Sequence, residues 1–283
     1  MRLSRQVTQA IAFWLLRLAA AIVVIPIIFV IGYIIVRGAG AMSWEFLTAV
    51  PRDGMHAGGI MPALVGTVIL TLGTAIAAIP LALAAAIYLA EYARDSWLTR
   101  LIRVAIINLA GIPSIVYGLF GLGLFVLFLR LGTSIIAGSL TLGLMTLPVV
   151  ISTAEEAIRS VPQSFRTVSY SLGGTRWQTI RKIVLPQAIP GILTGIILGL
   201  ERAAGETAPI LFTVAAFYLP HLPASLLDQT MALPYHLYVI STQVPGVPLQ
   251  IQFGTALVLL LLVLSMNMIA TIVRTRVRRR RQW

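Results

Sequence analysis

The chain has 283 residues, of which 58% are hydrophobic and only 11% are charged. Soluble domains carry about 25% charged residues, so this composition excludes an ordinary soluble protein and indicates an integral membrane protein. The sequence contains no cysteine, which excludes disulfides, thiolate metal sites and cysteine nucleophiles. The net charge of +12 would suit a nucleic-acid-binding protein, but the positions of the charges along the chain argue against nucleic acid.

Six apolar segments are long enough to cross a membrane as helices, each of which needs about 20 residues. The sequence therefore predicts an all-α integral membrane protein with about six spans. The predicted spans are residues 11–36, 61–89, 101–129, 134–154, 188–217 and 253–273. The first is too long for a signal-peptide core and is expected to be retained. The sequence is expected to divide into three regions: an N-terminal helix with the first external loop (1–60), a core of five spans (61–273) and a basic tail (274–283).

The basic residues predict the orientation, because Lys and Arg concentrate in cytoplasmic loops. With the N-terminus inside, 16 of the 21 basic residues fall in cytoplasmic segments, whereas the long segment 218–252 contains none. Both termini are therefore expected in the cytoplasm. The arginines between Arg274 and Arg281 directly follow the last span, so anionic lipid headgroups explain them better than nucleic acid does.

The predicted third span, residues 101–129, contains one pair of polar residues that could contact a substrate. Ser114 and Tyr117 are three residues apart, so they share one helix face and could donate hydrogen bonds to an anion. The alternative is that they only pack and sit at the membrane interface.

The longest cytoplasmic connection, residues 159–186, is predicted to contain two short helices. Ser160 is followed three residues later by Gln163, which is typical of a capping box at a helix start. Gly173 and Gly174 then predict the end of this first helix, because glycine adopts the left-handed conformation that ends helices.

An apolar stripe marks the first of these helices. Four apolar residues recur at helical spacing, namely Val161, Phe165, Val168 and Leu172. Arg166 is expected on a positive rim beside them. Such a helix either lies in the lipid interface or docks into a groove on a soluble partner. The sequence lacks the glycine-rich phosphate cradle of an ATPase, so ATP-driven transport would require a separate ATPase chain.

Residues 201–209 place charges in an otherwise apolar segment. A central arginine costs about 2.5–3.5 kcal/mol on membrane-insertion scales, so its charge should face the bundle interior or a water-filled path. Arg202 and Glu206 are four residues apart and are expected to pair on one helix face. They form either a structural ion pair or a site on the path of a charged substrate. Gly195 and Gly199 are expected on the same side of this helix as Arg202. These glycines either leave room for the guanidinium or allow another helix to pack closely.

The charges of this segment do not by themselves make an anion site. Glu201, Arg202 and Glu206 sum to −1, which would repel an anion. An anion site therefore requires a further group that offsets this negative charge. The candidates are a second arginine from a sibling subunit, exposed backbone amides near Ser114 or a protonated carboxylate, and we favour the arginine of the sibling subunit.

Several motifs in one order resemble a known family. Gly173, followed after nine residues by Ile-Val-Leu-Pro at 183–186, resembles the second half of the EAA motif of ABC importer permeases. The motif's acidic position falls on Thr167 here. Four further segments resemble the PstA-type permeases of phosphate importers, and they are residues 86–92, 110–121, 202–209 and 231–234. The resemblance runs from about Gly59 to the last span.

The resemblance implies a MetI-like permease of the prokaryotic inner membrane that imports phosphate. It also implies a sibling permease (PstC-like), an ABC ATPase dimer that binds ATP and Mg²⁺ (PstB-like) and an extracytoplasmic phosphate-binding protein (PstS-like). No cofactor or metal is expected on this chain. The candidate substrate-path residues are Arg202, Glu206, Glu201, Thr207, Ser114 and Tyr117. The candidate ATPase-coupling residues are Phe165, Arg166, Thr167, Val168, Leu172, Gly173 and Gly174.

Two alternative functions remain open at this point. A permease for sulfate, molybdate or phosphonate would share the coupling loop and the six spans. A self-sufficient secondary anion transporter is a different class, which the partner-docking loop disfavours.

Overall fold

The computed structural model describes residues 5–279, and most of them are helical. The helices are α1 (Arg5–Gly38), α2 (Trp44–Thr48), α3 (Met61–Ile87), α4 (Trp97–Ala110), α5 (Ser114–Gly121), α6 (Ile135–Arg159), α7 (Gln163–Ser171), α8 (Arg176–Thr179), α9 (Leu185–Gly205), α10 (Ala208–Leu211), α11 (Leu233–Thr242) and α12 (Leu249–Arg279). Wider π turns extend α3 through Tyr88–Tyr92 and α5 through Leu122–Phe128, and Ile180–Val184 joins α8 to α9. The strands β1 (Pro51–Arg52) and β2 (Ala57–Gly58) form a small antiparallel hairpin.

The predicted third span is broken, which corrects the single helix expected over residues 101–129. The segments Trp97–Ala110 and Ser114–Phe128 are bent by 101° at the Gly111–Pro113 linker. Proline has no amide hydrogen and disfavours the helical conformation in the residue before it, so the backbone separates here. Among the described residues, five other helices are long and apolar enough to cross a membrane.

The bent pair α4–α5 crosses the bundle once. At one end of α6, Arg103 of α4 donates to Glu155 with an Nε–Oε1 distance of 2.8 Å. At the other end of α6, Ser134, which follows α5, donates its amide to the Thr213 carbonyl at 2.9 Å. With the bent pair counted as one span, residues 5–279 provide six candidate membrane spans, which agrees with the predicted number.

Helix α6 lies at the centre of the bundle. It packs extensively on α3 and α9. Helix α12 packs on α9, and α1 packs against α12. Large apolar side chains of α1, such as Trp14 and Phe29, are exposed, as expected for a helix that faces lipid. The core between α3, α6 and the later segments includes Leu70, Leu142, Met145, Val214 and Val239.

The predicted fifth span also ends earlier than expected. Helix α9 stops at Gly205, and Glu206 is extended, with φ −76° and ψ 136°. A continued helix would bring the Pro209 ring against the carbonyl of Gly205, four residues earlier. The chain instead restarts as α10 and enters the external segment, so residues 206–217 are not part of a continuous span.

The last span continues into the predicted basic tail. Helix α12 extends through Arg279, so residues 274–279 are helical rather than a separate segment. Arg2, Arg280 and Arg281, which contributed to the predicted orientation, lie outside the described residues.

Candidate functional site

Arg202 and Glu206 form the predicted ion pair at the end of α9. Arg202 Nε lies 3.3 Å from Glu206 Oε1, and the two side chains are 38% and 17% exposed. Glu206 stands just beyond the helix end rather than on its face, because the chain turns extended there. Arg202 lies in the last helical turn, where a positive charge is favoured by the helix dipole. The guanidinium remains partly accessible, and Glu206 contacts it through Nε.

Glu201 is separated from this pair. Its Oε2 accepts a hydrogen bond of 3.0 Å from Asn267 Nδ2 on α12. Its Oε1 is buried and has no hydrogen-bond partner among the described residues. Glu201 therefore joins α9 to α12 and is not part of the Arg202–Glu206 pair, whose own two charges cancel.

The glycine face of α9 is occupied by α6, which corrects the expectation of free space beside the guanidinium. A Cβ at Gly195 would overlap the Thr153 side chain, and one at Gly199 would lie 3.0 Å from Val150 Cγ2. A Cβ at Gly191 would likewise lie 2.5 Å from Ala157 Cβ. The small residues thus serve close helix packing, which was the alternative interpretation.

The bent pair brings Tyr117 and Ser114 towards the segment that follows Thr207. A Cβ at Gly118 would lie 2.9 Å from the Ala208 carbonyl oxygen, so α5 and α10 are in close contact. Tyr117 is buried, and its hydroxyl donates to the Leu109 carbonyl at 2.9 Å. This bond adds a second donor to a carbonyl at the end of α4, which also accepts from the Ile112 amide at 3.1 Å. Ser114 and Thr207 are half-buried at the start of their helices.

The cytoplasmic loop contains the two predicted helices, α7 and α8, separated by Gly173 with φ +78°. The predicted capping box at Ser160 is wrong, because Ser160 ends α6 and its hydroxyl donates to Ala157. The capping box instead forms at the second helix, between Thr175 and Gln178.

The apolar stripe of α7 divides between two faces, which corrects the single stripe predicted. Val161 is buried and Phe165 packs on the same core cluster, whereas Val168 and Leu172 are 59% and 84% exposed. Thr167 and Gly173 are also exposed, while Gly174 packs on Ser169. The outward face of α7 is therefore apolar at its C-terminal half and open to a partner.

Arg166 is buried against the bundle, which corrects its predicted place on an exposed positive rim. Its Nη2 lies 2.6 Å from Glu91 Oε1, and the two side chains are 8% and 7% exposed. Arg166 also donates to the carbonyls of Val161 and Ile158. Because Glu91 belongs to the end of α3, this pair fixes α7 to a membrane span.

Sequence reasoning missed the arginines that surround the end of α3. Arg103 and Arg159 both donate to the Leu89 carbonyl, at 3.0 and 3.3 Å, and both bind Glu155. Arg176 donates to the Glu91 carbonyl. The available signal was the position of Glu91 and Glu155, two carboxylates that follow long apolar segments at the basic side of the membrane.

An external contact was also missed. Both ring nitrogens of His56 face carbonyl oxygens, Nδ1 to Asp53 at 2.8 Å and Nε2 to Pro245 at 2.9 Å. Only the protonated ring can donate at both positions. The hydrogen bonds to Pro245 and Asp53 accordingly raise the pKa of His56 above its ordinary value of 6.5. This contact joins the first external loop to the α11–α12 connection.

These features define a membrane-embedded transport subunit: six crossings, a partly accessible charged pair within the bundle, and a cytoplasmic helix that offers an apolar face to a partner. Residues 78–282 match the family described as binding-protein-dependent transport system inner membrane component, and the chain belongs to that family. Members of this class are permeases rather than enzymes, and they work with a separate ATPase and a substrate-binding protein.

Named relatives cover nearly the whole chain. The probable ABC transporter permease protein YqgI of Bacillus subtilis is 34% identical over 95% of each chain. The phosphate transport system permease protein PstA 1 of Mycobacterium tuberculosis is also 34% identical, over 99% of this chain and 92% of that protein. Among solved structures, a bacterial ABC transporter involved in import of the acidic polysaccharide alginate aligns with a TM-score of 0.65. At 14% identity, over 96% of this chain and 99% of that one, it shows the shared fold.

Proposed function

We propose that this chain is the permease subunit of an ATP-driven phosphate importer. Its partners are a PstC-like sibling permease, a PstB-like ATPase dimer that carries ATP and Mg²⁺, and a PstS-like extracytoplasmic phosphate-binding protein. The relatives named as phosphate transport permeases support phosphate as the substrate. The proposed phosphate site rests on one observation, the partly accessible Arg202–Glu206 pair inside the bundle.

Arg202 has the chemistry that phosphate requires. A guanidinium presents planar donors to two oxygens at once and keeps its charge at every physiological pH. Glu206 neutralises Arg202 while the path is empty, so the two charges of the pair cancel. Phosphate then binds only if it displaces Glu206 or meets a second positive group. We propose that the sibling permease supplies that group, because the small cavity beside Glu206 contains no basic side chain from residues 5–279.

The ATPase is proposed to dock on the outward face of α7. Leu172 and Val168 project from this face, and Phe165 anchors the helix from the other side. Arg166 connects α7 to Glu91 at the end of α3. A displacement of α7 by the ATPase would thus reach a membrane span through one buried ion pair.

Phosphate uptake by the reconstituted complex tests the role of Arg202. We expect Arg202→Lys to impair uptake severely while assembly stays intact, because lysine keeps the charge but loses the bidentate geometry. Arg202→Gln should abolish uptake. Arg52→Gln, which changes an exposed external arginine paired with Glu45, is the matched control and should transport normally.

The double variant Arg202→Gln/Glu206→Gln separates a phosphate ligand from a structural ion pair. A purely structural pair predicts that both single variants are destabilised and that the double variant regains stability and uptake. Normal phosphate uptake by the double variant would refute the proposed site, since no guanidinium would remain on α9.

A further inference from the structure

A polar cavity of about 280 Å³ lies between α7 and the end of α3 at the cytoplasmic side. Its wall includes Arg159, Arg166 and Arg176 on three different elements, together with Glu91, Gln163 and Tyr170. The volume is several times the roughly 30 Å³ that one water molecule occupies, so the cavity admits a small anion with some of its water.

The charge of this cavity favours an anion. Three guanidinium groups and one carboxylate line it, which leaves an excess of two positive charges. Glu155 lies 3.0 Å from Arg159 and compensates one of them. Glu91 is already engaged, because its Oε1 accepts from both Nε and Nη2 of Arg166. A cation would therefore be repelled, whereas an anion would neutralise the remaining charge.

Several donors around the cavity are unused. Arg159 Nη1, and both Nε and Nη1 of Arg176, have no hydrogen-bond partner within residues 5–279. The Arg176 guanidinium is oriented by the Tyr92 ring, with 4.7 Å between its Cζ and the ring centroid. The Gln163 amide and the Tyr170 hydroxyl are likewise unpaired in the described part of the chain. Since Gln163, Arg166 and Tyr170 follow helical spacing, one face of α7 presents all three to the cavity.

We propose that this cavity binds a phosphate group. Two fixed guanidinium groups, an amide and a hydroxyl converge on one space, which matches a tetrahedral anion with several acceptor oxygens. The group would come either from inorganic phosphate in the cytoplasm or from a lipid headgroup of the cytoplasmic leaflet. In both cases the anion would connect α7, α8 and α6, and so hold the proposed coupling helix against the membrane spans. This site is separate from Arg202 and does not depend on the transport substrate.

Calorimetric titration of the full chain in maltoside detergent with inorganic phosphate tests the free-anion source. Arg159→Gln/Arg176→Gln should bind at least about tenfold more weakly, because each charge-assisted hydrogen bond contributes that factor or more. Arg181→Gln is the matched control, since Arg181 is exposed in the same loop and does not line the cavity. Arg202→Gln should retain this binding, which distinguishes it from the proposed transport site.

Native mass spectrometry after incubation with phosphatidylglycerol tests the lipid source. A lipid site predicts that the chain retains lipid, that the arginine double variant loses it and that Arg181→Gln keeps it. Gln163→Ala/Tyr170→Phe removes only unpaired groups, so it tests the cavity even if the arginine variant does not fold. The proposal is overturned if neither phosphate affinity nor lipid retention changes in the cavity variants, or if Arg202→Gln alone removes all phosphate binding and no lipid is retained.

Discussion

The buried pair Arg166–Glu91 offers the most direct test of how α7 is attached to the bundle. Replacing Arg166 with methionine keeps much of its volume but leaves the Glu91 carboxylate buried without its partner. It also removes the donors to the Val161 and Ile158 carbonyls. Breaking a buried pair from one side costs about 3–5 kcal/mol, whereas an exposed pair contributes about 0–1 kcal/mol. Arg166→Met should therefore destabilise the cytoplasmic side of the protein strongly.

The exposed pair Arg52–Glu45 provides the comparison within the same chain. Its side chains are 60% and 67% exposed, and its N–O distance is 3.1 Å, compared with 2.6 Å in the buried pair. Arg52→Met should lower the free energy of unfolding by less than about 1 kcal/mol. Unfolding of the two variants in detergent, followed by circular dichroism against denaturant, measures the difference.

A second variant separates the buried charge from lost packing. Arg166→Met/Glu91→Gln removes both charges, so it should recover a large part of the stability that Arg166→Met loses. Stimulation of the partner ATPase should remain impaired in the double variant, because α7 would no longer be fixed to α3. Equal stability of Arg166→Met and Arg52→Met would refute the structural role assigned to the buried pair.

Three further predictions follow from the packing and the exposed surfaces. Leu172→Asp should leave stability unchanged but weaken ATPase assembly, because it places a charge in an apolar contact; Ser164→Asp, on another exposed position of α7, should assemble normally. Gly195→Val should destabilise the chain by about 1–3 kcal/mol through overpacking against α6, whereas Gly205→Ala meets open space and should have little effect. The His56 contact should be fully present below about pH 6.5 and should be lost as the pH rises through its raised pKa.

Each of these three predictions can be measured directly, and each has a result that would contradict it. Co-purification of the ATPase reports on Leu172, and normal co-purification would favour the lipid-interface interpretation of α7. Thermal unfolding reports on Gly195, and an unchanged transition would mean that α6 and α9 can separate without cost. Nuclear magnetic resonance of the His56 ring gives its pKa directly. A value at or below 6.5 would show that the two carbonyl contacts do not hold the proton.

Local sequence signals were sufficient for the class of protein, the six crossings and the two helices of the cytoplasmic loop. Each of these depends on the composition or spacing of neighbouring residues, such as the apolar runs and the positive-φ Gly173. The Arg202–Glu206 pair was also predictable, because side chains four residues apart lie close together on a helix, and the pair forms although α9 ends at Gly205. No long-range contact is needed for these conclusions.

Only the tertiary structure decided which polar groups act together. Pro80 and Pro148 remain inside helices, whereas the chain breaks at Pro113 and before Pro209, so the presence of proline alone does not decide where a helix ends. In the same way, burial of Arg166 depends on Glu91, which lies 75 residues earlier. Such a pairing leaves no periodic pattern in the sequence, because it is set by which helix ends meet when the spans pack.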